Sequence, residues 1–188
     1  MDYARLSLAE VATGLERVVR DTQQTFGAYT AQQLNWKPDA ARWSVAQCFE
    51  HLLLANRQMF EKADAAMNAE NPRTIWQRLP VIPRLWGRML VRSQAPESTR
   101  RFTAAPQAKP SSSNIAADVI PRFIDQHRDA IARLRALDER AAARAIMTSP
   151  FVSVVTYSVL DGWRLVFAHD RRHFEQARRV TQSPGFPG

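Results

Sequence analysis

Apolar residues recur at three- and four-residue steps in four separate stretches of this chain, the period of a helix with one buried face. In the first, Leu8, Val11, Leu15, Val18, Thr22, Phe26 and Tyr29 form the stripe, and Glu16, Arg17, Arg20 and Asp21 lie largely opposite. Ser7 followed by Glu10 has the form of a capping box. The second stretch begins at Ser44, an N-cap with Gln47 three positions on, and carries Val45, Cys48, Phe49, Leu52, Ala55, Met59 and Ala63 until Asn71–Pro72 stops it. In the third, Ile120, Phe123, Ile124, His127, Ile131 and Leu134 share one stripe. Pro121 lies either in its first turn, with Asp118 near the cap, or at a kink in a longer helix. The fourth is expected to start after TSPF, near Phe151 to Thr156, and to run to about Thr181, where SPGFPG ends it. Four such helices predict an all-α, antiparallel-type four-helix bundle. Six glycines are too few for an all-β chain of many tight turns.

The 188 residues are enough for a single domain, 1–188, that buries its own core. Residues 71–113 form a long irregular crossover between helices two and three, with prolines at 72, 80, 83, 96, 106 and 110. Within it PRLWGRMLVRS reads as a short helix. Trp76, Leu85, Trp86, Leu90 and Phe102 make the segment too apolar for a free linker, so it is expected to pack over the bundle as a flap.

Charge is concentrated in the same place. The chain carries a formal +8, and residues 71–110 hold Arg73, Arg78, Arg84, Arg88, Arg92, Arg100, Arg101 and Lys109 against Glu97 alone. Such a segment attracts anions. Nucleic acid is disfavoured as the partner because helical and aromatic readout motifs are absent. The single Cys48 excludes an intramolecular disulfide and a thiolate-rich zinc site, so any metal must rely on His, Asp or Glu. The N-terminus has no cationic start followed by an apolar run. The longest uncharged run, from Ala145 to Leu160, is 16 residues and contains Pro150, short of a bilayer span. A cytoplasmic protein with no membrane partner is expected.

The chain has four histidines, and His169 and His173 stand one helical turn apart on the stripe Val166, His169, His173, Gln176, Val180. Arg171, Arg172, Arg178 and Arg179 fall mainly off that face. Two imidazoles so spaced can meet one metal ion, although the spacing also suits histidines satisfied at helix interfaces. His51, on helix two beside the apolar stripe, is the first candidate for a third ligand. His127 is the alternative or a fourth, against the simpler reading of a core histidine bonded to a carbonyl. Three neutral imidazoles suit Zn²⁺ or Ni²⁺ and leave coordination positions open for water or a thiolate. Glu50, Asp170 and Gln47 are candidate partners of the ligands. Cys48 reads as a small core residue. Tyr157, Ser158 and Asp161 lack the Gly-x-Ser-x-Gly context of a hydrolase triad.

Together, RWSVAQCFEHLLLANRQM (42–59), LNWKPDAARWS (34–44) and HDRRHFEQARRV (169–180) resemble, in order and spacing, the helix-two and last-helix signatures of the DinB-like superfamily. The resemblance covers the whole chain, with a longer and more basic 71–113 connection than is usual. It implies a four-helix bundle of the up-down-down-up kind. It also implies a divalent metal, Zn or Ni, held by His51, His169 and His173. Members include mycothiol-dependent maleylpyruvate isomerases and bacillithiol transferases, while others, some induced by DNA damage, have no assigned activity. The expectation is a divalent-metal-binding protein acting as a thiol transferase or isomerase, with a small-molecule thiol and an electrophile as partners. The alternative is a non-catalytic stress or accessory protein acting as a homodimer. The catalytic residues are left unassigned.

Overall fold

Capping boxes at Ser7/Glu10 and Ser44/Gln47 fix where the two long helices of the N-terminal half begin. The computed structural model describes residues 1–68, 75–78, 81–100, 103–112 and 114–187, without the side chains of Trp76 and Arg78. The expectations placed on Asn71, Pro72, Arg73, Pro80, Arg101 and Phe102, and on those two side chains, lie outside the described residues. The helices in chain order are α1 (Leu8–Phe26), α2 (Ala31–Asn35), α3 (Val45–Met67), α4 (Ile75–Arg78), α5 (Ile82–Gln94), α6 (Val119–Arg135), α7 (Glu139–Arg144) and α8 (Val159–Thr181). Between α7 and α8 the short strands β1 (Ile146–Thr148) and β2 (Thr156–Ser158) pair antiparallel, Met147 opposite Tyr157.

The four long helices, α1, α3, α6 and α8, form a four-helix bundle, and α1 and α3 each pack on both α6 and α8. Residue pairs give their directions. Gly14 meets Phe167 and Asp21 pairs with Arg171, so α1 and α8 run the same way. Phe49 meets Phe123 and Asp64 pairs with Arg133, so α3 and α6 also share a direction. His51 meets His169 while Phe60 stacks on Trp163, so α3 and α8 are opposed. The core is aromatic at its centre: Phe26 packs on Phe49 and Phe174 with centroids 5.3 and 5.5 Å apart, and Phe49 on Phe123 at 4.9 Å. Burying each such ring contributes about 1.5–3 kcal/mol.

Two expectations about helix starts are resolved. Pro121 lies in the first turn of α6, where its missing N–H has no intrahelical role, although Asp118 makes no side-chain cap bond there. The fourth helix begins later than expected, at Val159, because β-branched and aromatic residues before it, ending in Thr156 and Tyr157, form β2. Ser158 then caps α8 by accepting from the Asp161 N–H, and its hydroxyl donates to the Asp161 carboxylate at 2.9 Å. The Tyr157 hydroxyl points to the Met59 sulfur. Ser158 and Asp161 therefore act as a helix cap.

Helix α5, with Pro83 in its first turn, lies against α8, β2 and the N-terminal 3₁₀ turn Tyr3–Arg5. No helix among the described residues is long and apolar enough to cross a membrane.

Contact between α1 and α8 depends on Gly14, where a Cβ would lie 2.3 Å from Phe167 Cζ. A Gly→Ala change inside a helix ordinarily gains about 1 kcal/mol from propensity. Here Gly14→Ala is expected to lower stability in urea unfolding by up to about 2 kcal/mol net, because an overpacking cost of roughly 1–3 kcal/mol outweighs that gain.

Candidate metal centre

Helix α3 presents His51 two turns after its cap, and α8 presents His169 and His173 one turn apart, so the opposed helices bring three imidazoles to one point. One ring nitrogen from each lies within 4.8 Å of the others. His51 Nε2 and His169 Nε2 are 3.3 Å apart, and the His173 ring sits 4.7 Å from that of His51 and 4.5 Å from that of His169. His51 and His173 are buried, while His169 is partly open. Trp43, just before the α3 cap, stacks on His173 at 5.8 Å and tilts against His51 at 5.1 Å, closing one side.

The rings are chemically prepared as ligands. Nδ1 of His51 lies 2.6 Å from the Ala108 carbonyl, which can only accept, so Nδ1 carries the hydrogen and Nε2 turns its lone pair to the cluster. His173 Nδ1 is buried with no hydrogen-bond partner among the described residues. Burial lowers the pKa of all three rings. His51 is lowered against the opposing effects of the Ala108 bond and the Asp170 charge. His169 falls to about 3 through burial, then through the His51 and Arg172 charges. His173 falls well below the usual range through burial, then the His169, His51 and Arg172 charges, with Gln176 acting the other way. Three neutral imidazoles brought to one point, with a buried His173 nitrogen that has no partner among the described residues, fit a divalent cation.

His127 does not join them. Its Nδ1 lies 2.9 Å from the Phe123 carbonyl and its Nε2 lies 2.8 Å from Asp170 Oδ2. It is the core histidine bonded to a carbonyl, with an acid on its other side. Asp170, wholly buried, also accepts from Asn56 Nδ2 at 2.8 Å. Glu50 accepts from the Ser111 N–H at 2.5 Å and its hydroxyl at 3.1 Å, and the Gln47 amide donates to the Ser111 and Ser112 carbonyls. These two residues fasten the end of the crossover to α3. Cys48 is buried, its thiol pushed up to about 12 by desolvation, and takes no part.

Sequence reasoning missed the Ala108 carbonyl, Asn56 and the role of Trp43. A loop carbonyl leaves no side-chain signature, and nothing in the spacing of Asn56 points to Asp170. Arg172, expected off the histidine face, donates through its guanidinium to the Ser93 carbonyl in the last turn of α5 and to the Ala95, Ser98 and Arg100 carbonyls just beyond it, and its charge reaches His169 and His173.

A family model described as the DinB superfamily matches residues 14–177. Among solved structures, YfiT from Bacillus subtilis aligns with a TM-score of 0.62 at 14% identity, over 96% of this chain and 89% of that one. That protein is described as "a probable metal-dependent hydrolase with an unusual four-helix bundle topology", and the likeness shows a shared fold. No curated protein matches.

Two outcomes follow from the cluster. After loading with Zn²⁺ and gel filtration, mass spectrometry is expected to find one metal per chain, falling below about a tenth of an equivalent in His51→Ala, His169→Ala or His173→Ala. His127→Gln, which keeps a donor for Asp170, is expected to retain it. The second outcome concerns pH. Unfolded histidines take up protons near 6.5 and the folded ones resist, so the unfolded state binds more protons below that value. The urea midpoint of metal-free protein is therefore expected to fall as pH drops from 6.5 toward 3, with a shallower fall in His173→Gln.

Proposed function

We propose a metal-centred catalytic role for this chain, which belongs to the DinB superfamily: transfer or isomerisation in which a small-molecule thiol attacks a small electrophile. The donor set carries this reading. The cluster contains three neutral imidazoles and, among the described residues, no carboxylate or thiolate. His51, His169 and His173 would hold the ion, and their neutrality leaves its whole charge to act on a further ligand. A divalent ion such as Zn²⁺ or Ni²⁺ bound there supplies Lewis acidity that lowers the pKa of a thiol or a water.

The protein's own residues divide the remaining work. The Ala108 carbonyl orients His51, and Trp43 covers the His173 side. Activation of water in metallohydrolases commonly draws on a nearby carboxylate base. Asp170 is committed to His127 and Asn56, and Glu50 to Ser111. A thiol is far more acidic than water and would release its proton to solvent on binding a metal, so it needs no such base, which favours the thiol. Hydrolysis is the second reading, supported by the description of YfiT.

Cobalt substitution separates the readings. A thiol nucleophile is expected to give a new near-ultraviolet charge-transfer band when a low-molecular-weight thiol is added, together with thiol-dependent consumption of an electrophile from a broad panel. His173→Ala should cost more than the roughly 10–100-fold that follows loss of an outer-sphere partner. Cleavage of esters or amides without thiol would establish the hydrolase instead. Metal binding with neither activity would leave an accessory protein.

A further inference from the structure

A polar concavity lies on the α5 side of the bundle. Four arginines from three elements line it: Arg5 from the N-terminal turn, Arg88 and Arg92 from α5, and Arg164 from α8, with Ala4 completing a cavity of about 400 Å³. Arg88 and Arg92 are one helical turn apart and so share a face. Arg164 is built into the wall, its side chain 14% exposed, with Nε donating to the Leu6 carbonyl at 2.6 Å and Nη1 to Asp161 at 2.9 Å. The Arg5 and Arg92 side chains are 83% and 62% exposed, so core packing does not account for them.

Fewer acids than bases stand here. Asp161 belongs to Arg164, and Glu10, which feels the Arg164 charge, spends its carboxylate on Ser7. Asp2 is shared between Arg5 at 3.3 Å and Arg92 at 3.5 Å. Both contacts are longer than the roughly 2.7–2.9 Å of a tight charge-assisted bond. Arg88 has no ion pair among the described residues. Asp2 also caps the N-terminal turn, its carboxylate accepting from the Ala4 N–H at 3.2 Å, so one carboxylate is divided between that cap and two arginines in a site whose remaining charge is positive.

We propose that this cavity binds the phosphoryl dianion of a small molecule. Converging guanidinia offer more forked N–H donors than the two oxygens of a carboxylate accept, whereas a terminal phosphoryl group presents three oxygens. The cavity exceeds a phosphate group and leaves room for the organic part of an ester. The site is separate from the histidine cluster. Arg164 precedes His169 by five residues, roughly 7.5 Å along the helix and on another face. A bound anion ties the N-terminal turn, α5 and α8 together.

The test is calorimetric titration of the metal-loaded full chain with inorganic phosphate and phenyl phosphate, with succinate and a single-stranded oligonucleotide as comparison ligands. Saturable binding of both phosphates is expected, accompanied by a rise in Tm and weaker binding of succinate. Arg88→Ala/Arg92→Ala is expected to weaken phosphate at least about tenfold at unchanged metal content, while Arg57→Ala, an exposed arginine on α3, leaves it unchanged. Asp2→Asn, which removes the competing charge and keeps an oxygen to cap the N-terminal turn, is expected to tighten binding several-fold and does not depend on the double variant folding. No saturation below about 10 mM overturns the proposal, as does equal loss in Arg57→Ala or unchanged affinity in Asp2→Asn. Loss of phosphate binding in His173→Ala would assign the anion to the histidine centre. Tighter, steeply salt-dependent binding of the oligonucleotide would replace the small-molecule ligand with nucleic acid.

Discussion

The buried Asp170 carboxylate holds α8 at one rotation and one height, and the histidine cluster depends on both. It receives Asn56 from α3 and His127 from α6 inside the bundle, with Asp170 and His127 wholly buried and Asn56 nearly so. The Phe123 carbonyl can only accept, so His127 Nδ1 carries a hydrogen, and its Nε2 lies 2.8 Å from the Asp170 oxygen. A slip of α8 by one residue would turn Asp170 by about 100°. That would leave a buried carboxylate and a buried imidazole unpaired, at a cost of several kcal/mol. The apolar stripe tolerates neighbouring registers far better than this polar triad does. His169 precedes Asp170 directly and His173 follows it by three, so fixing Asp170 also fixes the two α8 imidazoles opposite His51.

The crossover completes what the bundle starts. Its far end is pinned to α3 by Gln47, Glu50 and Gln58, which places the Ala108 carbonyl on His51. Its middle is gathered by Arg172, whose guanidinium bonds the carbonyls at the C-terminus of α5 and just beyond, where helix-end carbonyls lack partners. One arginine therefore ends α5 and lends its charge to the neighbouring imidazoles. Desolvation and that charge keep His169 and His173 neutral, the state in which nitrogen lone pairs are free for a cation. Burial normally penalises a polar ring, and here it provides the ligand state.

Basicity of the 71–110 segment has several local uses. Arg88 and Arg92 face the cavity shared with Arg5 and Arg164, and the α5 helix that carries them is seated by Gly87, where a Cβ would lie 2.5 Å from Asp161 Oδ2. The close approach of α5 to the start of α8 is what brings arginines from three elements together. Asp161 serves this junction twice, in the cap with Ser158 and in the pair with Arg164.

By itself the sequence determined the four long helices and the faces they bury, because periodicity and capping are local: Ser7 with Glu10, Ser44 with Gln47, and the stripe through Val166, His173 and Val180 act within a few residues of chain. It also placed His169 and His173 on one face, since a turn of helix is fixed geometry. The start of α8 was less legible, because a hairpin held by β1–β2 pairing competes with helix over Thr156 to Ser158, and pairing is not local. Only the tertiary structure decided that His51 meets His169 across 118 residues of chain, that His127 turns to Asp170, and that a backbone carbonyl from Ala108 sets the tautomer of His51. Such contacts depend on where two helices cross and how a loop returns, and no spacing within a single element encodes either.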